Sequence, residues 1–307
     1  MSLYAMCCKR FDGMLCGARV ALDKVARPAG LSVLRKRVSS WVRPVHAAFI
    51  LDGNRRYAMN AKLTTYRMGH EMGTQRFYGL IELCHQYGIP NLSVYSFSIE
   101  NFKRSQTEIT ALFDILRTTL NDMATPGNLV HRLGCRIRII GDRAMVPAEV
   151  SAAMQRAEHA TQHHAAMTVF IGVAYDGREE IVQAARRCVA EAVSSSNDAR
   201  GAASVASAIT IEAMTRHMYL RAHEASVPPV DLVVRAGGAK RLSSFLMWDA
   251  SHAELHFDPV LWPEFGELEF LRALSEFNKR QASSQTVDLR YSSKEEPQLA
   301  EAKQFAA

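Results

Sequence analysis

The stretch FILDGNRRYAMN, residues 49–60, runs three apolar residues into Asp52, turns at Gly53 and Asn54, and supplies Arg55 and Arg56 at once. The apolar run HAAFIL (46–51) has the length of a buried strand. In sheets built from alternating strands and helices, ligands bind outside the carboxyl ends of the strands. A carboxylate placed directly after such a strand therefore stands at the active edge. Gly53 and Asn54 permit a tight turn or a close backbone approach to a ligand. Arg55 and Arg56 fall near the start of the next helix, where free N–H groups and guanidinium forks both favour phosphate. Taken alone, the stretch reads sooner as a plain turn in which Asp52 pairs with an arginine. The rest of the chain has to decide.

Outward from this point, strand-like and helix-like segments alternate. Strands are predicted at 91–98 (NLSVYSFS), 135–140 (CRIRII), 167–175 (MTVFIGVAY), 230–234 (VDLVV) and 254–257 (ELHF). Helical spacing covers 70–88, 107–123 with Thr107 and Thr110 as its capping pair, 148–164, 178–193, 208–222 and 266–280. A polar loop of small residues, SSSNDARGAAS, fills 194–204, and a polar tail follows Gln281. The pattern predicts an α/β fold with a mostly parallel central sheet and helices on both faces. The organisation is a basic arm (1–45), one α/β domain (46–280) and a tail (281–307).

Charge divides along these lines. Nine Lys/Arg and two Asp lie in residues 1–45; taken from totals of 37 and 31, they leave 28 basic and 29 acidic residues beyond. A neutral core with a basic arm argues against nucleic acid as a partner. The arm has the composition of a transit peptide or of a helix lying on an anionic membrane or covering the core. No apolar run reaches the roughly 20 residues of a membrane-spanning helix. The six cysteines show no metal-ligand spacing and read as free thiols in a reducing compartment.

Two further strand ends repeat the chemistry of the first. SFSIENFKRS (96–105) carries Ser98, Glu100, Asn101, Phe102 and Arg104, and VVRAGGAKRLSSF (233–245) carries Arg235, a Gly237-Gly238 loop, Arg241 and Ser243. Three such ends on one edge describe a diphosphate site. Asp52 and Glu254 are the carboxylates available to Mg²⁺, which takes one or two protein carboxylates besides phosphate oxygens and water. A phosphohydrolase using Asp52 as nucleophile wants a second Asp two residues on, where Asn54 stands.

With FILDGNRRYA, SVYSFSIENFKRS and VDLVVRAGGAKRLSSFLMWDASHAELHFDPVLWPEF in order, residues 46–280 resemble the cis-prenyltransferases, the undecaprenyl and dehydrodolichyl diphosphate synthases. The wording is closer to the eukaryotic dehydrodolichyl subunit than to the bacterial enzyme, which usually has Gly at Arg55 and Trp at Tyr57 and Phe102. The resemblance implies that Asp52 holds Mg²⁺ with an allylic diphosphate of the farnesyl diphosphate type, and that Gly53, Asn54, Arg55, Arg56, Arg67 and His70 line it. Asn101 lies by the reacting carbon; Tyr57, Ser98, Glu100, Phe102 and Arg104 shape the pocket; Arg235, Arg241 and Ser243 grip isopentenyl diphosphate; Glu254 is a second metal ligand. Helices 70–88 and 107–123 wall a hydrophobic tunnel for the growing chain.

The resemblance also implies a partner. Single-subunit members carry an R-x-G motif after the last helix, and neither Arg280 nor Arg290 is followed by Gly two residues on. Eukaryotic catalytic subunits with this gap borrow the motif from a membrane-bound subunit similar to the Nogo-B receptor. The expectation is a heteromer peripheral to the cytosolic face of the endoplasmic reticulum, serving dolichol synthesis and protein glycosylation. The alternative is a non-catalytic scaffold subunit of such a complex.

Overall fold

All five residues of β1 (His46–Ile50) are buried, as the apolar run predicts. In the computed structural model the described residues are 28–194 and 206–292, with side chains through Ser283. The predicted loop at 194–204 falls almost wholly outside them, as do residues 1–27 of the arm and 293–307 of the tail. After β1 come α1 (Asn54–Asn60), α2 (Tyr66–Gln86), β2 (Asn91–Ser98), α3 (Gln106–Ala124), α4 (Leu129–Arg132), β3 (Cys135–Ile140), α5 (Ala148–Thr161) and β4 (Met167–Tyr175). Then follow α6 (Gly177–Ser194), α7 (Ile211–His217), α8 (Tyr219–His223), β5 (Leu232–Arg235), β6 (Glu254–Phe257) and α9 (Glu267–Ser292).

The six strands form one sheet in the order β3-β4-β2-β1-β5-β6, every pairing parallel. The chain winds from β1 toward β2 and later returns to add β5 on the other flank. Between those neighbours, above the end of β1, the order reverses and a crevice opens. Asp52 stands there. β2 carries register shifts against β4 around Tyr95, Phe97 and Ser98, a bulge of the kind that re-aims side chains beside a site.

Several boundaries move. α2 starts at Tyr66, capped by the Thr65 hydroxyl that accepts from Met68 N–H, four residues before the predicted start. α3 is capped by Ser105, which accepts from Glu108 N–H, in place of Thr107 and Thr110. Its Ile109, Phe113, Leu116, Leu120 and Met123 are buried, the i, i+3, i+4 stripe of a core-facing helix. The helix predicted at 208–222 is two, broken at the extended and fully buried Met218. α9 runs to Ser292 and takes in the start of the predicted tail.

Residues 44–269 form one compact unit; the described chain ends, 28–43 and 270–292, group into another. In the latter, residues 28–37 are helical, Val38 and Trp41 are buried, as are Phe270, Leu271, Leu274 and Phe277. Val42 N–H donates to Asn278 Oδ1 at 2.9 Å. The described part of the arm is thus packed structure. No helix among the described residues is long and apolar enough to cross a membrane. Cys84, Cys135 and Cys188 are free and buried, while Cys7, Cys8 and Cys16 lie outside the described residues.

His46 shows what the core does to a titratable group. Its ring is fully buried, one nitrogen 3.0 Å from Pro228 O and the other 2.8 Å from Ser93 Oγ. Burial above all pulls its pKa down from 6.5 to about 4. Between those values the unfolded chain binds a proton that the folded chain refuses. Stability is therefore full above pH 6.5 and falls on acidification toward pH 4, by on the order of 3 kcal/mol from this residue. Urea midpoints at pH 7.5 and 4.5 read the slope, and His46→Gln, which cannot titrate, flattens it. An equal slope in both proteins contradicts the assignment.

Candidate active site

The turn after β1 is fixed from several sides. Gly53 has φ 116° and caps α1, a conformation a side chain resists. Asp52 O accepts from Trp262 N–H at 3.0 Å, and Trp262 Nε1 donates to Gly73 O at 2.8 Å. Gly73 and Gly69 of α2 press against Asn54: a Cβ on Gly73 would lie 2.3 Å from Asn54 Oδ1, and one on Gly69 2.4 Å from Asn54 O. That same Oδ1 is buried with no hydrogen-bond partner. α1 is too short for its dipole to matter much, so the guanidinium groups carry the positive charge.

The Asp52 carboxylate joins two of them. Oδ1 accepts from Arg56 Nη2 at 3.2 Å and Oδ2 from Arg235 Nη2 at 2.9 Å. Arg56 also donates to Gly237 O at 2.7 Å. Arg235, only 5% exposed in its side chain, donates through Nη1 to Arg241 O at 2.6 Å and Ser243 Oγ at 2.8 Å. Both readings of the opening stretch therefore hold: Asp52 is salt-bridged, and its arginines line a cavity. This cavity, of about 270 Å³, is bounded by Asp52, Asn54, His70, Ser98, Glu100, Asn101, Arg104, Arg235, Arg241 and Ser243, with Tyr95 and Ser96. Gly53, Arg55 and Arg56 line a second hollow that shares Asp52, Asn54, His70 and Arg104 with it. Five arginines and two carboxylates line the pair, a surplus of positive charge suited to polyanions.

Glu108 of α3 is the organiser that sequence reasoning missed. It accepts from Arg104 at 2.8 Å, with Arg55 Nε at 3.6 Å and His70 Nε2 at 3.7 Å. The legible signal was its position four residues after Arg104 on a helix start. His70 is not Glu108's ion-pair partner. Burial, then Arg104, lowers its pKa to about 4 against the pull of Glu108, so the ring is neutral and its Nε2 has no hydrogen-bond partner. Asn101 and Ser98 cap each other: Ser98 N–H donates to Asn101 Oδ1 at 3.1 Å, and Asn101 N–H to Ser98 Oγ at 3.2 Å. The carbonyl end of Asn101 is thereby held, which leaves its amide NH₂ as the end available to a ligand.

Four predicted residues stand elsewhere. Arg67 is tied to Glu71 at 2.8 Å and Asp114 at 2.7 Å and borders an outer groove; two carboxylates already hold its guanidinium away from the cavity. Tyr57 is half-buried on α1 and lines neither hollow. Phe102 packs on Phe97 and Phe113, its ring 5.0 and 6.0 Å from theirs, and supports the wall without forming it. Glu254 opens β6 and pairs in register with Leu232, which pairs with Ala47 at the start of β1. At about 3.3 Å per residue, that register sets it roughly 10 Å from the level of Ile50, where β1 ends and the chain turns into Asp52, toward the opposite edge. Within one chain, Glu254 and Asp52 do not form a metal pair.

No group of three or more His, Cys, Asp or Glu suited to a metal exists among the described residues. Asp52 alone fits Mg²⁺, which keeps waters and takes its other ligands from phosphate. Adjoining the cationic hollows, Leu51, Phe77, Leu112, Ile115, Leu116, Leu120, Ile171 and Trp262, with Asn54, His70, Thr74, Ser96 and Thr119 among them, enclose a mainly apolar crevice of about 90 Å³ between α2 and α3. The expected apolar lining is there, in a space well below the roughly 300 Å³ of an ordinary ligand pocket.

The family profile described as "Putative undecaprenyl diphosphate synthase" matches residues 50–284. The chain belongs to the cis-prenyltransferase family. An isoprenyl transferase of Thermus thermophilus is 38% identical to this cis-prenyltransferase over 251 residues, 81% of the chain and 91% of the relative. A tritrans,polycis-undecaprenyl-diphosphate synthase (geranylgeranyl-diphosphate specific) of Thermococcus kodakarensis is 35% identical over 250 residues, 81% and 90% of the two chains. Among solved structures, lavandulyl diphosphate synthase from Lavandula x intermedia in complex with dimethylallyl diphosphate superposes with a TM-score of 0.67 at 30% identity, over 77% of this chain and 95% of that one. Prenyl transfer is the activity these relatives carry.

The close fit at Gly237 makes one prediction for this cis-prenyltransferase. Its φ is 85°, and a Cβ would stand 2.5 Å from Arg56 Nη2 and 2.8 Å from Asp52 O. Gly237→Ala must push Arg56 off Asp52, and an expected loss of about 100-fold in kcat/KM follows from an ångström-scale misplacement. Steady-state kinetics check it; a change under threefold contradicts the geometry.

Proposed function

We propose that the chain condenses isopentenyl diphosphate onto a farnesyl-type allylic diphosphate, repeatedly and in cis, to make a long polyprenyl diphosphate. The observation that carries this is the pair of adjoining cationic hollows, joined at Asp52, beside a mainly apolar crevice. Two diphosphates need two anion seats, and a hydrocarbon tail needs a dry exit. Arg55, Arg56 and Arg104 hold the allylic diphosphate; Arg235, Arg241 and Ser243 hold the isopentenyl one. Asp52 is the residue that would hold Mg²⁺ together with phosphate oxygens, and the ion would supply charge neutralisation as the diphosphate leaves. The arginines do the same work from the protein, prearranged for the charge that develops as the allylic C–O bond breaks. The alkene carbon forms the new C–C bond, and a proton leaves as the cis double bond appears.

Full activity, in this reading, requires an accessory subunit similar to the Nogo-B receptor, in a heteromer at the cytosolic face of the endoplasmic reticulum that feeds dolichol synthesis and glycosylation. Its support is the wording of DGNRRYA and FSIENFKRS and the lack of R-x-G at Arg280 and Arg290; the two relatives compared by sequence are bacterial and archaeal. Incorporation of labelled isopentenyl diphosphate into butanol-extractable product, with farnesyl diphosphate and Mg²⁺, tests both levels. Product from chain and accessory subunit together, and little from either alone, supports the heteromer. Strong activity of the chain alone removes the partner requirement and keeps the reaction. Activity that survives loss of Asp52 leaves the chain a scaffold.

A further inference from the structure

A carboxylate sits in the core away from the cavity. Glu180, in the first turn of α6, is 2% exposed. Its acceptors go to an O–H and an N–H rather than to a cation: the Tyr175 hydroxyl donates to Oε2, and Tyr219 N–H donates to Oε1 at 2.7 Å. Burying a carboxylate this way is expensive, so what it holds is informative.

It holds Tyr175, the fully buried last residue of β4. Burial and the neighbouring carboxylate push the Tyr175 hydroxyl well above the ordinary tyrosine range, so it keeps its proton to donate. Its oxygen is then oriented to accept Leu246 N–H at 3.2 Å. Leu246 belongs to a turn in which three non-glycine residues are left-handed: Ser243 at φ 52°, Ser244 at 61° and Leu246 at 45°. Such a run persists only where surrounding contacts impose it. The β4–α6 junction imposes it twice, because Gly177 N–H also donates to Ser244 O at 2.8 Å, where any Cβ on Gly177 would lie 2.4 Å from that oxygen. Phe245, between these contacts, stacks on Tyr95 at 4.6 Å and meets Tyr175 edge-on at 5.8 Å. At the start of the turn, Ser243 Oγ accepts from Arg235.

We infer that Glu180 and Tyr175 are positioning residues for isopentenyl diphosphate: they hold the 243–246 turn in its strained shape, and through Ser243 they aim Arg235. The inference rests on the proposed seat for that substrate, formed by Arg235, Arg241 and Ser243. Neither Glu180 nor Tyr175 lines the cavity, so their effect reaches the substrate only through the turn.

The test uses the full chain, with whatever subunit its activity requires. Tyr175→Phe removes the hydroxyl; Glu180→Gln keeps the size but leaves one oxygen for two donors, Tyr175 O–H and Tyr219 N–H, so one of them faces an NH₂. In both, the KM for isopentenyl diphosphate rises about tenfold or more, while the KM for farnesyl diphosphate stays within about twofold. Thr161→Val is the control: it removes a buried hydroxyl that accepts from Ile137 N–H beside the outer strand β3, and both KM values stay put at a similar loss of stability. Parallel changes in both KM values, or none, overturn the inference while the prenyl-transfer reading stands. Should Tyr175→Phe fail to fold, the Glu180→Gln kinetics decide alone. Wild-type protein that binds no isopentenyl diphosphate by calorimetry removes the substrate reading and the inference with it.

Discussion

Asp52→Ala lowers turnover by about three orders of magnitude or more, the scale of removing a group that stabilises transition-state charge. The same variant is expected to bind inorganic pyrophosphate, without metal, more tightly than wild type. In the native site Asp52 accepts from both Arg56 and Arg235, and its removal frees both guanidiniums for a passing anion. Stability falls modestly, since the carboxylate is about one-third exposed but Arg235 loses a partner. Kinetics and calorimetry on one preparation check the opposed signs. Turnover above a tenth of wild type, or weaker pyrophosphate binding, removes Asp52 from the role assigned to it.

Arg235→Met is expected to act on one substrate. The buried guanidinium is bonded to Asp52, to Ser243 and to the Arg241 carbonyl at once. Methionine fills much of its volume and replaces none of these bonds. Loss of a charge-assisted contact to a diphosphate raises the KM for isopentenyl diphosphate by about 100-fold. The allylic hollow keeps Arg55, Arg56 and Arg104, so the farnesyl diphosphate KM moves severalfold at most. Equal losses on both substrates contradict the division into two seats.

These residues were legible because a parallel sheet sorts its sequence by edge. Residues just beyond an apolar run arrive at the carboxyl ends, and Asp52, Ser98, Asn101, Arg235, Arg241 and Ser243 all stand beyond one. The same rule, applied to Glu254, excludes it: it precedes the Leu255-His256-Phe257 run, so its strand carries the chain away from it. Arg67 was placed by the resemblance, and a motif does not tell which carboxylates wait beside it; Glu71 and Asp114 hold its guanidinium. Glu108 and Glu180 were missed for a common reason. Glu108's one local mark, its spacing from Arg104, is shared by many surface pairs, and its other neighbours, Arg55 and His70, are distant in sequence. Glu180 stands beside Glu179 at a helix start, where nothing local tells which of the two is buried.

The internal ion pairs at Asp52 bear on which anions the site refuses. Asp52 is a resident anion, a placeholder seated between the two guanidiniums that the substrates need. A chloride, or a small carboxylate, displaces one such charge by another and gains little. A diphosphate brings several oxygens and more than one charge, enough to hold the arginines and still leave the carboxylate something to share. Asp52 thus competes with singly charged anions for Arg56 and Arg235, and yields ground to an anion that brings several charges.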